Sequence, residues 1–252
     1  MIKIGNKFIG TGKKITIVLL LILLPNFLFS KDKIVFGLTG AIYKSDIKVF
    51  DEWKKYLEKR VKNTDIEIVY SRTYADMLML FSSGKVDMAY ISSSTFITLR
   101  DGNVAKLLAI PINHNDTQKH FAYIIALKKN NYASLFDFQG KVFAFSDPDS
   151  KTGSIVPQYF LLSRGADIKT FFKKIIHTYE HEESINAVLS GFVDGASIDS
   201  LVFEQFEEKF PEKAKQLMVV QKMGPFTASP IVAKQNLSKE NYEILQTALN
   251  QM

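Results

Sequence analysis

Ser150, Lys151, Thr152, Gly153 and Ser154 stand together just after a short apolar run, Lys141-Val142-Phe143-Ala144-Phe145. After them Ile155, Tyr159 and Leu162 recur at helical spacing, as do Val156 and Phe160. Ser150, Thr152 and Ser154 with Gly153, three hydroxyls and a glycine between a buried strand and a helix, make an anion-binding arrangement. The first N–H groups of a helix are unpaired there and its dipole is positive. Pro157 suits the first turn and Gly165 supplies the stop. The competing reading is an ordinary helix capped by Ser150 or Thr152. His181, ahead of Glu182 and Glu183, reads as a second helix entry. Its imidazole, doubly protonated, could donate to an anion and be held charged by it; the bland alternative is a surface histidine. His114, His120, His177 and His181 show no metal-ligand spacing. Asp194, Asp199 and Ser200 could join His181 on paper as a catalytic set. No nucleophile elbow or phosphate-binding motif accompanies them, so the chain reads as a binder rather than an enzyme, with no cofactor.

The elements that must position these residues alternate. Strands are expected over 34–38, 66–70, 86–91 and 104–110, with helices over 46–62 and 74–83 and a short helix opened by Ser92 to Thr95. A loop composition, Pro111 to Lys119, interrupts the pattern. A second unit then runs from the strand Phe121 to Leu127 through strands at 175–176, 193–198 and 217–220, with helices over 182–190 and 199–210. Gln221 to Ser229 reads as a second break, and Pro230 to Lys234 and a helix over 239–252 close the chain. This β–α order predicts an α/β fold with mostly parallel sheets. Two breaks around a central unit predict two lobes joined by a double crossing.

The first thirty residues are a separate matter. Lys3, Lys7, Lys13 and Lys14 precede an apolar stretch, Ile15 to Leu24, and Pro25, Asn26 and a small Ser30 follow. That is the form of a secretory signal peptide cleaved after Ser30, with retention as a membrane tether the alternative. These lysines account for four of the six net positive charges of the 252-residue chain, and the remainder carries only +2. With no basic stripe interleaved with aromatics, nucleic acid is not an expected partner. The absence of cysteine excludes disulfides, thiolate zinc sites and a lipid-bearing N-terminal cysteine.

The segment SDPDSKTG followed by VPQYFL resembles the ligand loop of the periplasmic phosphonate-binding proteins, the solute receptors of phosphonate and phosphite ABC importers. The blocks His181–Ser184 with Val193–Ala196, Gly224–Phe226 with Pro230–Val232, and Tyr74–Asp76 with Gly84–Ala89 match in the same order. The resemblance implies a two-lobed type II periplasmic-binding fold, with a mostly parallel sheet in each lobe. Lobe 1 is then 31–118 plus 225–252, and lobe 2 is 119–224. It implies a monomer in the periplasm that binds a small phosphorus oxyanion and docks on an ABC permease; a sensor kinase is the alternative partner. Ser150, Lys151, Thr152, Gly153, Ser154 and His181 would hold the anion, with the Tyr74 hydroxyl from the facing lobe. Where the family often has a second aromatic hydroxyl this chain has Phe121, and Tyr123 could stand in by strand alternation.

Receptors of this family that take aminoalkylphosphonates need carboxylates to neutralise a buried ammonium. A gap-free count puts Leu201 and Ser229 at those places. Asp199 and Glu204, two or three residues off on an expected helix, would face elsewhere. The expectation is therefore a compact oxyanion (phosphate, phosphite or a short alkylphosphonate) in preference to 2-aminoethylphosphonate, with Lys151 suited to a bare dianion.

Overall fold

A computed structural model describes residues 32–40, 42, 47–61, 64–112 and 117–252. The expected signal peptide and His114 lie outside the described residues. Lobe 1 is built from β1 (Asp32–Leu38), α1 (Ile47–Glu58), β2 (Thr64–Tyr70), α2 (Tyr74–Ser82), β3 (Met88–Tyr90), α3 (Ser93–Asp101) and β4 (Ala105–Ala109). The chain then crosses into β5 (Lys119–Leu127), β6 (Val142–Phe145), a π turn (Lys151–Ile155), α4 (Val156–Leu162) and α5 (Ile168–Phe171). Lobe 2 continues through β7 (Lys174–His177), α6 (His181–Leu189), β8 (Gly195–Asp199), α7 (Ser200–Lys209), α8 (Pro211–Ala214) and β9 (Leu217–Thr227). β10 (Ile231–Lys234) and α9 (Lys239–Asn250) return to lobe 1.

Among the described residues each lobe holds one five-stranded sheet, ordered β2-β1-β3-β10-β4 and β7-β6-β8-β5-β9. β1 runs parallel to β2 and β3, and β6 parallel to β7 and β8. β10 and β5, which follow the two crossings, lie antiparallel to their neighbours. The crossings touch where Ala228 N donates to Gln118 O at 2.8 Å. The sheets are covered on both faces, which is why their strands read as apolar runs rather than alternating ones. On β1, Ile34, Phe36 and Leu38 pack with Phe50, Leu57 and Leu245, while Val35 joins Met77, Phe81 and Val86 on the other side. In lobe 2, Phe138, Phe143, Phe145, Phe171 and Phe172 form an aromatic layer under one face, and Ile198, Val202, Phe203 and Phe206 fill the other.

Two expectations fail here for physical reasons. The break expected over Gln221 to Ser229 is mostly strand, because β9 pairs with β5 as far as Thr227 opposite Lys119. β9 is the sheet edge, where Pro225 can lack an N–H without breaking the ladder. The stripe Ile155, Tyr159 and Leu162 faces solvent, with Tyr159 71% exposed. Leu161 and Pro157 are the buried side of α4 instead.

Candidate anion-binding site

The site begins where β6 ends. Asp147 turns the chain, accepting from Asp149 N at 2.8 Å, and Ser150 then opens the π turn. Ser154 N and Ile155 N both donate to Ser150 O at 3.0 Å. Ser150 Oγ accepts from Gly153 N at 3.1 Å and lies 3.4 Å from His181 Nε2. His181 is 2% exposed and begins α6. Its other nitrogen, Nδ1, faces the backbone N–H of Asp199 at 3.1 Å. An N–H only donates, so Nδ1 accepts and the proton sits on Nε2. His181 Nε2 therefore donates to Ser150, and the Ser150 hydroxyl keeps its own proton for another acceptor.

This geometry corrects the expected doubly protonated His181. Burial drives its pKa down to about 4 against the attraction of Asp199, with His120 helping to lower it. A second proton would also set N–H against N–H at Nδ1. The imidazole works here as a neutral donor.

Asp199 is the larger correction. It is the last residue of β8 and the N-cap of α7, not a residue on the helix, and it is 6% exposed. Its Oδ1 accepts from Leu201 N at 2.9 Å, and its Oδ2 takes Thr152 Oγ1 at 3.0 Å and His120 Nδ1 at 2.6 Å. Burial alone would raise its pKa, but His120 and the Leu201 N–H outweigh burial and hold the carboxyl below its usual range. An acid thus does reach this cluster, and the reason for excluding an ammonium-bearing ligand falls away. Thr152 gives its hydroxyl proton to Asp199, so that proton is not the anion donor it was expected to be. Ser154, wholly buried, accepts from Gln158 Nε2 at 2.7 Å. Lys151 is half-buried, its ammonium 4.7 Å from the Phe226 ring centroid. Burial lowers its pKa and Asp199 opposes the shift.

Lobe 1 meets this cluster directly. Tyr74 N donates to Asp147 Oδ2 at 2.9 Å across the cleft, and the Tyr74 side chain is buried with its hydroxyl on Thr39. Lys151 N donates to Ser92 Oγ at 3.2 Å. Ser92 and Ser94 share a 2.7 Å hydrogen bond, and Ser94 Oγ passes its proton on to Asp149 O. Beside them, Tyr70 Oη donates to Glu180 Oε1 at 2.8 Å and Arg72 Nη2 to Thr178 O at 3.3 Å. The lobes are closed on one another. Three buried polar atoms at this junction have no hydrogen-bond partner among the described residues: Thr95 Oγ1, Ser146 Oγ and His120 Nε2.

The sequence model described as "ABC transporter, phosphonate, periplasmic substrate-binding protein" matches residues 36–252. The chain belongs to this family. It is 23% identical over 210 residues to the phosphonates-binding periplasmic protein of Escherichia coli K12, covering 81% of this chain and 61% of that protein. A solved binding-protein component of an ABC phosphonate transporter from Pseudomonas aeruginosa superposes with a TM-score of 0.80 at 24% identity. That match covers 86% of this chain and 73% of the other. A Prochlorococcus marinus protein solved with methylphosphonate gives 0.76 at 17% identity, covering 88% and 83%. The fold is that of the type II periplasmic-binding proteins.

Against this family frame, Ser150, Lys151, Thr152, Gly153, Ser154 and His181 come together as one cluster, and Tyr74 adjoins it through its backbone. Tyr123 does not join them. Strand alternation turns it to the α7 side of β5, edge-on to Phe203 with its hydroxyl on Glu204. The opposite face of β5 brings in His120, which sequence reasoning missed. β5 begins at Lys119, so His120 is a strand residue with a fixed direction and not the tail of a loop.

Proposed function

We propose that this chain is a periplasmic receptor that captures a small phosphorus oxyanion (phosphonate, phosphite or phosphate) between its lobes and delivers it to an ABC permease. The lobes are 32–118 with 228–252, and 119–227, meeting at the paired crossings of Gln118 and Ala228. The observation that carries this reading is Ser150. Its oxygen already accepts from Gly153 and from a neutral His181, which leaves a hydroxyl proton for an incoming oxygen. The Lys151 ammonium supplies charge beside it. Contacts from both lobes favour the closed form, so ligand shifts the population toward closure and the permease reads that shape.

Ser150→Ala is expected to weaken methylphosphonate binding by about 1–3 kcal/mol, the range for a hydrogen bond to a charged group. Calorimetric titration of wild type and variant with phosphate, phosphite and methylphosphonate measures it. Equal affinities in the two proteins for every ligand bound would remove Ser150 from the site, and no binding at all by wild type would reject the receptor reading. Export follows from the same reading. Protein recovered from the periplasm should begin at or next to Lys31 by mass spectrometry, whereas an intact Met1 in the membrane fraction would establish the tether.

A further inference from the structure

His120 is 2% exposed and lies edge-on to Phe226, the ring that the Lys151 ammonium covers. Its Nδ1 is fixed on Asp199 Oδ2 at 2.6 Å, while its Nε2 has no hydrogen-bond partner among the described residues. Asp199, held ionised, has no proton to give an anion, and its oxygens already accept from Leu201 N on one side and from Thr152 Oγ1 and His120 Nδ1 on the other. It acts as a positioning residue, and the ring it positions has one polar atom left to offer. The titratable groups around this ring are Asp199 on β8, His181 on α6 and Lys151 in the π turn, with Tyr74 and Tyr90 of lobe 1 coupled to Asp199. Lys151 and the neutral His181 can only donate, and the Tyr74 and Tyr90 hydroxyls are already bonded to Thr39 and Ser229. His120 Nε2 is the atom of this group that can either give or take a proton.

We propose that His120 Nε2 binds the ligand through a single shared proton, and that this contact selects phosphorus oxyanions over sulfonates of the same shape. The inference rests on the receptor reading above. A phosphonate monoanion brings the proton on its own P–O–H and donates it to a bare Nε2. A phosphonate dianion has none, so one proton from solution must enter with it and Nε2–H becomes the donor. In either case one proton lies between nitrogen and oxygen, and no bond other than this hydrogen bond is made. Phosphorus oxyanions exchange that proton near neutral pH, with a second pKa of about 6 for phosphate esters. A sulfonate carries no proton there and is too weak a base to share one, so it loses the paired contact and leaves a buried polar nitrogen poorly matched.

Titration calorimetry at roughly pH 9, where ordinary imidazoles and phosphonates are deprotonated, tests this with methylphosphonate and methanesulfonate. Heats in two buffers of different ionisation enthalpy count the protons exchanged. Wild type should take up about one proton per methylphosphonate and none per methanesulfonate, and should prefer the phosphonate by at least about tenfold. His120→Phe keeps an aromatic ring and removes both nitrogens. It should abolish the uptake and bring the two affinities within about threefold, chiefly by loss of the phosphonate. Asp199→Asn serves where His120→Phe does not fold. Its amide would donate to Nδ1 and fix the proton on Nε2, so methanesulfonate should gain relative to methylphosphonate. Binding of methylphosphonate without proton uptake, or a phosphonate-to-sulfonate ratio unchanged in the folded variants, overturns the role of His120 and leaves the receptor reading intact. Failure of wild type to bind any phosphorus oxyanion overturns both.

Discussion

Replacing Gly153 with alanine is expected to weaken methylphosphonate binding at least about 100-fold, near 2.7 kcal/mol, while leaving most of the fold intact. A Cβ at this position would stand 1.6 Å from Ser146 Oγ and 2.8 Å from both Ser146 Cβ and His181 Cε1. Turning the Ser146 hydroxyl aside relieves the first contact and not the other two. Ser146 directly follows β6 and donates its N–H to Gly153 O at 3.1 Å, so the two backbones are tied at this point. The loop must therefore shift away from His181, and the Ser150–His181 hydrogen bond is the first casualty. Overpacking at an inflexible site commonly costs about 1–3 kcal/mol. Here the displaced atoms are those proposed to hold the anion. Calorimetric titration gives the affinity and circular dichroism checks the fold. A second substitution, Ser146→Gly, should restore part of the lost affinity by removing two of the three atoms that the methyl group meets, leaving only His181 Cε1. An alanine variant that binds within about threefold of wild type would show that the loop does not hold the ligand.

Folding stability is expected to fall as the pH drops from about 6.5 to about 4, with His181 a principal cause. The unfolded chain takes up a proton on this imidazole near 6.5, while burial depresses the folded value to about 4. Between those limits the unfolded state binds more protons, so unfolding becomes easier as the pH falls. The contribution is present in full above the upper limit and is lost on reaching the lower one. Its size is on the order of 3 kcal/mol. Urea titrations across this range should show the midpoint moving down in wild type. In His181→Gln, which can still accept from Asp199 N, the slope should be visibly shallower. Parallel slopes in the two proteins would mean that another group carries the acid sensitivity. Asp147 works in the opposite sense, since burial raises its pKa against the Tyr74 and Asp149 N–H groups.

What was legible in the sequence was punctuation. The β–α order, the hydroxyl-rich loop after an apolar run and His181 at a helix entry all follow from local composition, because turn residues and helix starts have local causes. Asp199 and His120 were missed for one shared reason: a shift of one or two residues at a strand end. The local pattern puts Asp199 at the start of a helix, facing away, whereas β8 runs on to include it and its carboxylate caps α7. The strand expected from Phe121 begins at Lys119, which puts His120 on a defined face. In a strand of period two, attention to Phe121 and Tyr123 selects the wrong face. The pairing of β5 with β8 and β9 decides those ends, and such pairing is between residues far apart in sequence. Nor could composition reveal that the Thr152 proton goes to Asp199, which is a contact across 47 positions.

The bonds that Tyr70, Tyr74 and Ser92 make across the cleft have a bearing on how faithfully the proposed receptor would report its load. Tyr70 meets Glu180, the neighbour of His181, and Ser92 takes the N–H of Lys151, the neighbour of Ser150. The fastening of the lobes and the grip on the anion thus sit on adjacent residues of the same turns. Every such bond made by the protein alone raises the fraction of empty molecules that are already shut. That fraction improves apparent affinity, since less closure remains for the ligand to drive. It also reduces the contrast between loaded and empty molecules, which is all that the proposed membrane partner would have to read. A receptor fastened too firmly would announce cargo it does not carry.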